Sequence, residues 1–423
     1  MNFNEFLKKL DEEGKLTHVT KPVSVKHEIA AIMKKYDGQP LLFENVKESD
    51  MKIAANVLST RDLVAQGIGV TKKQVVEKVA DAIDNPSKPE QDDSLKDQYE
   101  EVEDLTKIPI LTYYEQDGGP YIASAIFVIN DKELGINASY HRSMFVDKNH
   151  IVSRILPRHF HELVEKGNKE FAICIGLPPS LAIGGAVSCE PEISELDIAN
   201  SISPIKTLEL DGQTVPEAEI VMIAEVTDDK HDEGPFMDLT ETFDIVRQES
   251  VFKIKKIYKK KDAVFHALLP GGNEHKTLMG TPKEPAIYRG VNKVVKCKNV
   301  LITPGGCSWL HAVVQIEKEN EDDGKKALEA AFASHKSMKH CWVVDDDIDI
   351  TNPHEVEWAF TTRFQADKDM IVKEHETGSS LDPSANPETR ETTKVGFDLT
   401  VPVGKKSEFS KSKIPGEDEA SIE

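Results

Sequence analysis

Arg142, Arg154 and Arg158 fall within one short stretch, Asn137 to His159, of a chain that otherwise uses lysine for positive charge: it has eight arginines against forty-four lysines. Lysine is enough for a solvated surface, whereas the planar, five-donor guanidinium matches a carboxylate or a phosphate. The same stretch contributes Asn137 and His159, an amide oxygen and an imidazole that could serve a divalent metal. Anion-binding and metal-binding groups therefore lie together. The plainer alternative is a loop and strand edge making ordinary surface hydrogen bonds.

Four other segments carry chemistry-bearing groups. Glu233-Gly-Pro-Phe-Met-Asp238 places two carboxylates across a Gly-Pro turn whose backbone is restricted, and one of them could donate a proton if an apolar setting raised its pKa. Ala182-Ile-Gly184-Gly185-Ala186-Val187 is a run of small residues that would let the backbone approach a phosphate or a flat ring, although tight packing explains such a run equally simply. Glu195 follows Ser194 at an expected helix start, where the ordinary role is capping. Asp345-Asp-Asp-Ile-Asp349 lacks the glycine and terminal glutamate of a calcium loop, so acids at a strand end capping the next helix are expected there.

The elements that must position these groups fall into three expected domains. Residues 1–111 alternate helical and strand-like patterns, with helices around Phe3–Leu10 and Ile29–Met33 and another opened by Thr71 as its cap. Residues 112–298 change to apolar, β-branched runs bounded by Gly, Pro, Asn and Asp, which predicts a sheet-rich middle domain of barrel or sandwich type. Residues 299–423 return to strands alternating with helices, followed after Glu376 by a polar, proline-bearing arm or tail. The fold class is α/β (α+β).

Composition narrows the partners. A net charge of −22 over 423 residues argues against nucleic acid or an anionic membrane surface. Five widely spaced cysteines with no CxxC pair suggest reduced thiols and a cytoplasmic protein. The first residues form an amphipathic pattern rather than an export signal, and no apolar run is long enough to span a bilayer.

In this order the motifs resemble the UbiD family of decarboxylases, which use prenylated FMN. The resemblance rests on Asn137-x4-Arg142, Asp147-Lys-Asn-His150, Pro157-Arg-His159, the small-residue run leading to Ser194-Glu195, Val215-Pro216, Glu233-Gly-Pro-Phe-x-Asp238, Lys339 through Asp349, and Trp358 through Arg363. It covers roughly residues 100–400 and implies a split-barrel-like middle domain for the flavin and a C-terminal α/β oligomerisation domain.

By position, the resemblance makes Asn137, His159 and Glu195 the ligands of Mn²⁺ (or Mg²⁺), with His161 a rival, and gives K⁺ the backbone carbonyls near Ala138, Gly184, Gly185 and Val187 together with Glu195. It adds Ser139, Tyr140, Arg158, Ala186 and Lys339 to the cofactor contacts, with His335 and Lys336 competing for the place of Lys339. Arg142, Glu233 and Asp238 become the catalytic trio: the arginine orients the substrate carboxylate, Asp238 delivers the proton, and Glu233 holds the arginine.

Ile155 to His159 and Leu301 to His311 resemble an archaeal subgroup that decarboxylates trans-anhydromevalonate 5-phosphate to isopentenyl phosphate in a modified mevalonate pathway. That phosphorylated enoic acid needs a cationic pocket, to which Arg154, Lys148 or His311 could contribute. A flavin prenyltransferase would supply the cofactor, and a homo-oligomer is expected. The alternatives are a polyprenyl-hydroxybenzoate decarboxylase of quinone synthesis and a flavin-binding protein without turnover.

Overall fold

The structure is a computed structural model that describes residues 1–412 and 414–416. It forms two compact units, one comprising Met1–Pro285, Pro304–Trp309 and Leu381–Pro383, the other Ala286–Thr303, Leu310–Ser380 and the chain from Ser384 on.

The first unit opens with the helix Phe3–Glu12, fixed by a reciprocal cap in which Asn2 accepts from the Glu5 backbone and Glu5 accepts from that of Asn2. Its apolar stripe Phe3, Phe6, Leu7 and Leu10 is buried. The helix expected from Thr71 instead begins at Val75, because the Thr71 side chain bonds that of Gln74 at 2.8 Å and the intervening residues form a turn. A four-stranded sheet joins Thr17–Val19, Leu41–Phe43, Lys52–Ala55 and Val264–Ala267.

The centre of this unit is a nine-stranded sheet that does not close on itself. Its order is Tyr121–Ile122, Ser143–Asp147, His150–Ser153, Arg247–Lys260, Ile220–Glu233, Glu170–Ile175, Ile126–Asp131 and Gly135–Tyr140, with Tyr99–Val102 added on Arg247–Lys260. The open order matches the split-barrel expectation. Central strands are apolar on both faces, as two-sided burial requires. Phe127, Phe171, Ile173, Ile220 and Met222 enter one core. Their neighbours Ile126, Val128, Ala172, Cys174 and Val221 enter another. A register slip of one residue would exchange the two faces, so the pairing is strongly specified.

The second unit is a five-stranded sheet ordered Cys297–Ile302, His311–Ile316, His340–Asp345, Glu391–Asp398 and Met370–Thr377. His311–Ile316 and His340–Asp345 run parallel, and the helix Asp323–Ser334 connects them. Glu391–Asp398 lies in the segment read from the sequence as an arm. It becomes a strand because it pairs on both sides, with His340–Asp345 and with Met370–Thr377. The last part of that expected tail, residues 417–423, lies outside the described residues.

The aspartate run also differs from its expected role. Asp345 and Asp347 both bond the fully buried guanidinium of Arg363, while Asn352 caps the following helix. Among the described residues, no helix is long and apolar enough to cross a membrane.

Candidate active site

The two long strands of the central sheet bring the first candidate catalytic groups together. Ile220–Glu233 and Arg247–Lys260 are antiparallel, with Glu233 opposite Arg247, so residues 234–246 form the excursion between them. Gly118 supports this excursion: its N–H donates to the Pro235 carbonyl at 3.1 Å, and a Cβ there would lie 2.1 Å from the Gly234 oxygen. Only glycine permits that approach.

Arg142 precedes the strand Ser143–Asp147 and reaches Glu233 with both groups of one guanidinium edge, Nε to Oε1 and Nη2 to Oε2, each at 2.8 Å. Its Nη2 also donates to Asp244 Oδ2 at 3.1 Å. Three of its five N–H donors are thereby used, and among the described residues the two on Nη1 have no hydrogen-bond partner. Phe236 lies against the guanidinium face, 4.5 Å from its carbon to the ring centroid.

Glu233 has no exposed surface and also accepts from the Tyr121 hydroxyl at 3.0 Å. Burial opposes the charge on Arg142, but Glu233 and Asp244 outweigh it and raise the arginine's pKa. A bidentate pair in so enclosed a place fixes one orientation of the guanidinium.

Asp244 was not singled out in the sequence, yet it binds three arginines: Arg142, Arg154 and Arg247. Burial pushes its pKa up, but the three guanidiniums together bring it down to about 2. An unfolded aspartate titrates near 3.9, so this contribution is complete above about pH 4 and is lost as the pH falls toward 2. Asp244→Asn is therefore expected to cost about 2 kcal/mol near pH 6. The cost should shrink as the pH is lowered toward 2, as measured by denaturant unfolding of both proteins across that range.

Asp238 is half-buried and does not bond Arg142 or Glu233; its Oδ1 accepts from the Leu239 N–H at 2.7 Å. Its charge is felt by His275, another residue the sequence reading missed. Burial lowers the His275 pKa to about 4, with Asp238 acting against the shift and Arg142 adding to it. The Gly271 N–H donates to His275 Nδ1 at 3.0 Å, which places the ring proton on Nε2.

The second group of residues gathers at the sheet edge. Alternation along Gly135–Tyr140 sets Asn137 and Ser139 on one face, with His141 beyond them, and Ser139 Oγ is 2.9 Å from His141 Nε2. Burial lowers the His141 pKa to about 4. Ala138 and Tyr140 face the other way: Ala138 is in the core, and the Tyr140 hydroxyl donates to the Ala182 carbonyl at 3.2 Å.

Glu195 opens the helix Glu195–Ile202 and accepts from Asn137 Nδ2 at 3.1 Å and from the Ala138 N–H at 2.9 Å. It is only 4 % exposed, and burial raises its pKa to about 7. His159, first residue of the helix His159–Glu165, lines one small cavity with Asn137, Glu162 and Pro191, whereas His161 does not.

A buried acid without a cationic side chain bonded to it, close to an amide and with an imidazole on the amide's cavity, suits a hard divalent ion. Among the described residues no three His, Cys, Asp or Glu side chains form a metal cluster, and this set contains only two of those types.

Gly184 and Gly185 have a packing reason for their identity. A Cβ at Gly184 would lie 2.9 Å from that of Ala199 and 3.1 Å from the Glu195 carbonyl oxygen, and one at Gly185 would lie 2.6 Å from Ile126 Cδ1. The neighbouring Ala186 and Val187 close the turn, their N–H groups donating to Ile183 and Gly184 carbonyls. Lys339 lies in the second unit and bonds Ser384 there.

Comparison with known proteins places this geometry. The chain matches the N-terminal, Rift-related and C-terminal domains of 3-octaprenyl-4-hydroxybenzoate carboxy-lyase over residues 7–83, 86–273 and 276–399. It is 43 % identical to the anhydromevalonate phosphate decarboxylase of Methanocaldococcus jannaschii, covering 92 % of this chain and 94 % of that protein. The protein of the same name from Methanosarcina mazei is 40 % identical over 99 % of this chain and all of its own length.

Among solved structures, the UbiD-class enzyme HmfF from Pelotomaculum thermopropionicum in complex with FMN is 32 % identical, covers 100 % of this chain and 99 % of its own, and superposes with a TM-score of 0.94. An evolved dimeric form of HmfF in complex with prFMN is 31 % identical over 100 % and 99 % of the two chains, with a TM-score of 0.89. Three consecutive domain matches and this agreement of fold and sequence show that the chain belongs to the UbiD family of carboxy-lyases.

Proposed function

We infer that this chain is a decarboxylase of an α,β-unsaturated acid that works with prenylated FMN, and that its substrate is trans-anhydromevalonate 5-phosphate, converted to isopentenyl phosphate. The observation that carries the reaction is Arg142, held by buried Glu233 and half-buried Asp244 with two Nη1 donors left over among the described residues. The choice of acid is supported by the relatives named anhydromevalonate phosphate decarboxylase, at 34 to 43 % identity. An aromatic acid is less well supported, since the gallate decarboxylase of Lactiplantibacillus plantarum is 28 % identical.

When bound, the prenylated flavin supplies the electron sink that lets a carboxylate leave an unsaturated carbon as CO₂. Arg142 Nη1 holds that carboxylate in one orientation, and Glu233 keeps the guanidinium from turning away. Asp238 delivers a proton to the carbon left by CO₂. Asn137, His159 and Glu195 would hold Mn²⁺ or Mg²⁺, and backbone carbonyls near Ala138, Gly184, Gly185 and Val187 would serve K⁺. Self-association is part of the same proposal: the edge strand Met370–Thr377 exposes Met370 and Val372.

His159→Ala is expected to release Mn²⁺ and flavin together. The loss of metal affinity should be at least the roughly 10- to 100-fold caused by losing an outer-shell partner. Elemental analysis and flavin absorbance of the purified protein measure both, and unchanged Mn²⁺ would transfer the ligand role to His161. For the activity, protein co-expressed with a flavin prenyltransferase is given the phosphorylated acid and aromatic acids in parallel. Isopentenyl phosphate and CO₂ from the first supports the reading, and turnover of aromatic acids alone refutes it.

A further inference from the structure

Among the described residues the Glu233 carboxylate receives three side-chain donors, and one of them does not come from Arg142. Oε1 takes both Arg142 Nε at 2.8 Å and the Tyr121 hydroxyl at 3.0 Å. The same hydroxyl oxygen lies 3.0 Å from the Gly234 backbone nitrogen. A phenol has a single hydrogen, an ionised carboxylate can only accept, and a backbone N–H can only donate. The Tyr121 proton therefore points at Glu233, and a lone pair of the same oxygen takes the Gly234 N–H. Burial first, and the Glu233 charge second, push the phenol's pKa up, so the hydroxyl keeps its proton.

The fold ties Tyr121 to both sides of the catalytic pair. Its backbone N–H donates to the Leu111 carbonyl at 2.7 Å, and the residue has no exposed surface. The strand Tyr121–Ile122 pairs with Ser143–Asp147, setting Tyr121 opposite Met144 and Ile122 opposite Ser143, the residue that follows Arg142. The Tyr121 ring packs on Phe236 with 4.7 Å between centroids, and Phe236 is the ring that lies against the Arg142 guanidinium. One side chain thus meets residues 233, 234 and 236, while its backbone ladder belongs to the strand that Arg142 precedes. A phenylalanine at 121 would fill the same space. It would nevertheless remove the partner that the buried Gly234 N–H has in the tyrosine hydroxyl, and would leave Oε1 with Arg142 Nε alone. Packing does not require the hydroxyl; the polar contacts do.

We propose that Tyr121 is a positioning residue of the reaction: its hydroxyl couples the Glu233 carboxylate to the first N–H of the excursion 234–246, so that the orientation of Arg142 and the chain path toward Asp238 are set together. The proposal rests on the reading of Arg142 as the holder of the substrate carboxylate and Asp238 as the proton donor. Tyr121 acts through Glu233 and the backbone, not on the acid itself.

The test compares wild type, Tyr121→Phe and Tyr114→Phe. Tyr114 is the control because it loses the same atom from the same segment: its hydroxyl donates to the Pro270 carbonyl at 2.8 Å and its ring meets Phe243, with no bond to Glu233. The first readout is hydrogen exchange at Arg142 Nε by ¹⁵N NMR, since that N–H is released only when the pair with Glu233 opens. The chain has eight arginines, and Arg142→Lys identifies the resonance. Exchange should be about 10-fold faster in Tyr121→Phe, as loss of one hydrogen bond to a charged group implies, and should stay at the wild-type rate in Tyr114→Phe. The second readout is steady-state decarboxylation by the holoenzyme. In Tyr121→Phe, kcat should fall about 10-fold with KM little changed, because the carboxylate still meets Arg142 but in a less fixed orientation. Unchanged exchange or unchanged kcat in Tyr121→Phe would overturn the proposal. So would equal acceleration of exchange in both variants, which would assign the effect to general loosening of the segment. Failure of the wild-type enzyme to decarboxylate the phosphorylated acid would instead remove the substrate reading, and exchange at Arg142 would still decide the role of Tyr121.

Discussion

Arg142→Ala is expected to lower folding stability by about 3–5 kcal/mol, the usual consequence of stripping a buried ion pair of one partner. The same change should abolish turnover. The size of the effect comes from what it leaves behind: Glu233 has no exposed surface and, among the described residues, would keep only the Tyr121 hydroxyl as a side-chain partner. Asp244 would lose one of its three guanidiniums at the same time. Arg142→Lys should recover part of the stability and little of the activity, because one ammonium cannot reproduce a two-bond edge contact plus a bond to Asp244. Denaturant unfolding and steady-state assays measure the two effects, and a stable, active Arg142→Ala enzyme would remove this arginine from the centre of the account.

Asp238→Asn should behave in the opposite way, with stability and flavin content nearly unchanged and turnover reduced roughly 10²- to 10⁴-fold, the range for loss of a general acid. Asparagine can still accept the Leu239 N–H bond that holds residue 238, but it has no proton of suitable acidity to deliver. Near-normal turnover in this variant would shift proton delivery to another group, with His275 the next to examine since its ring proton is on Nε2.

Much of this site is legible in the sequence where local pattern and function coincide. Two-residue alternation along Gly135–Tyr140 puts Asn137 and Ser139 on one face, and the Gly-Pro pair in Glu233–Asp238 marks a constrained turn between acids. The same alternation limits the resemblance-based contacts of Ala138 and Tyr140 to their backbones, since both side chains turn toward packed regions.

Asp244 was missed because nothing near it in sequence announces three arginines: two come from positions 142 and 154, about ninety residues or more away. The strand Glu391–Asp398 was hidden for a related reason: its sequence is polar and contains a glycine, and its conformation is imposed by pairing on both sides. Glycines 184 and 185 show the limit of composition, since a small residue required by a neighbouring helix reads the same as one required by a ligand.

The most direct measurement is a crystal structure of the holoenzyme with the saturated, unreactive analogue of the phosphorylated acid bound. The account predicts the analogue's carboxylate within hydrogen-bonding distance, about 3 Å, of Arg142 Nη1, with both bonds from Arg142 to Glu233 intact and Asp238 facing the adjacent carbon. A carboxylate bound away from Arg142, or an Arg142–Glu233 pair that must open to admit it, would contradict the account.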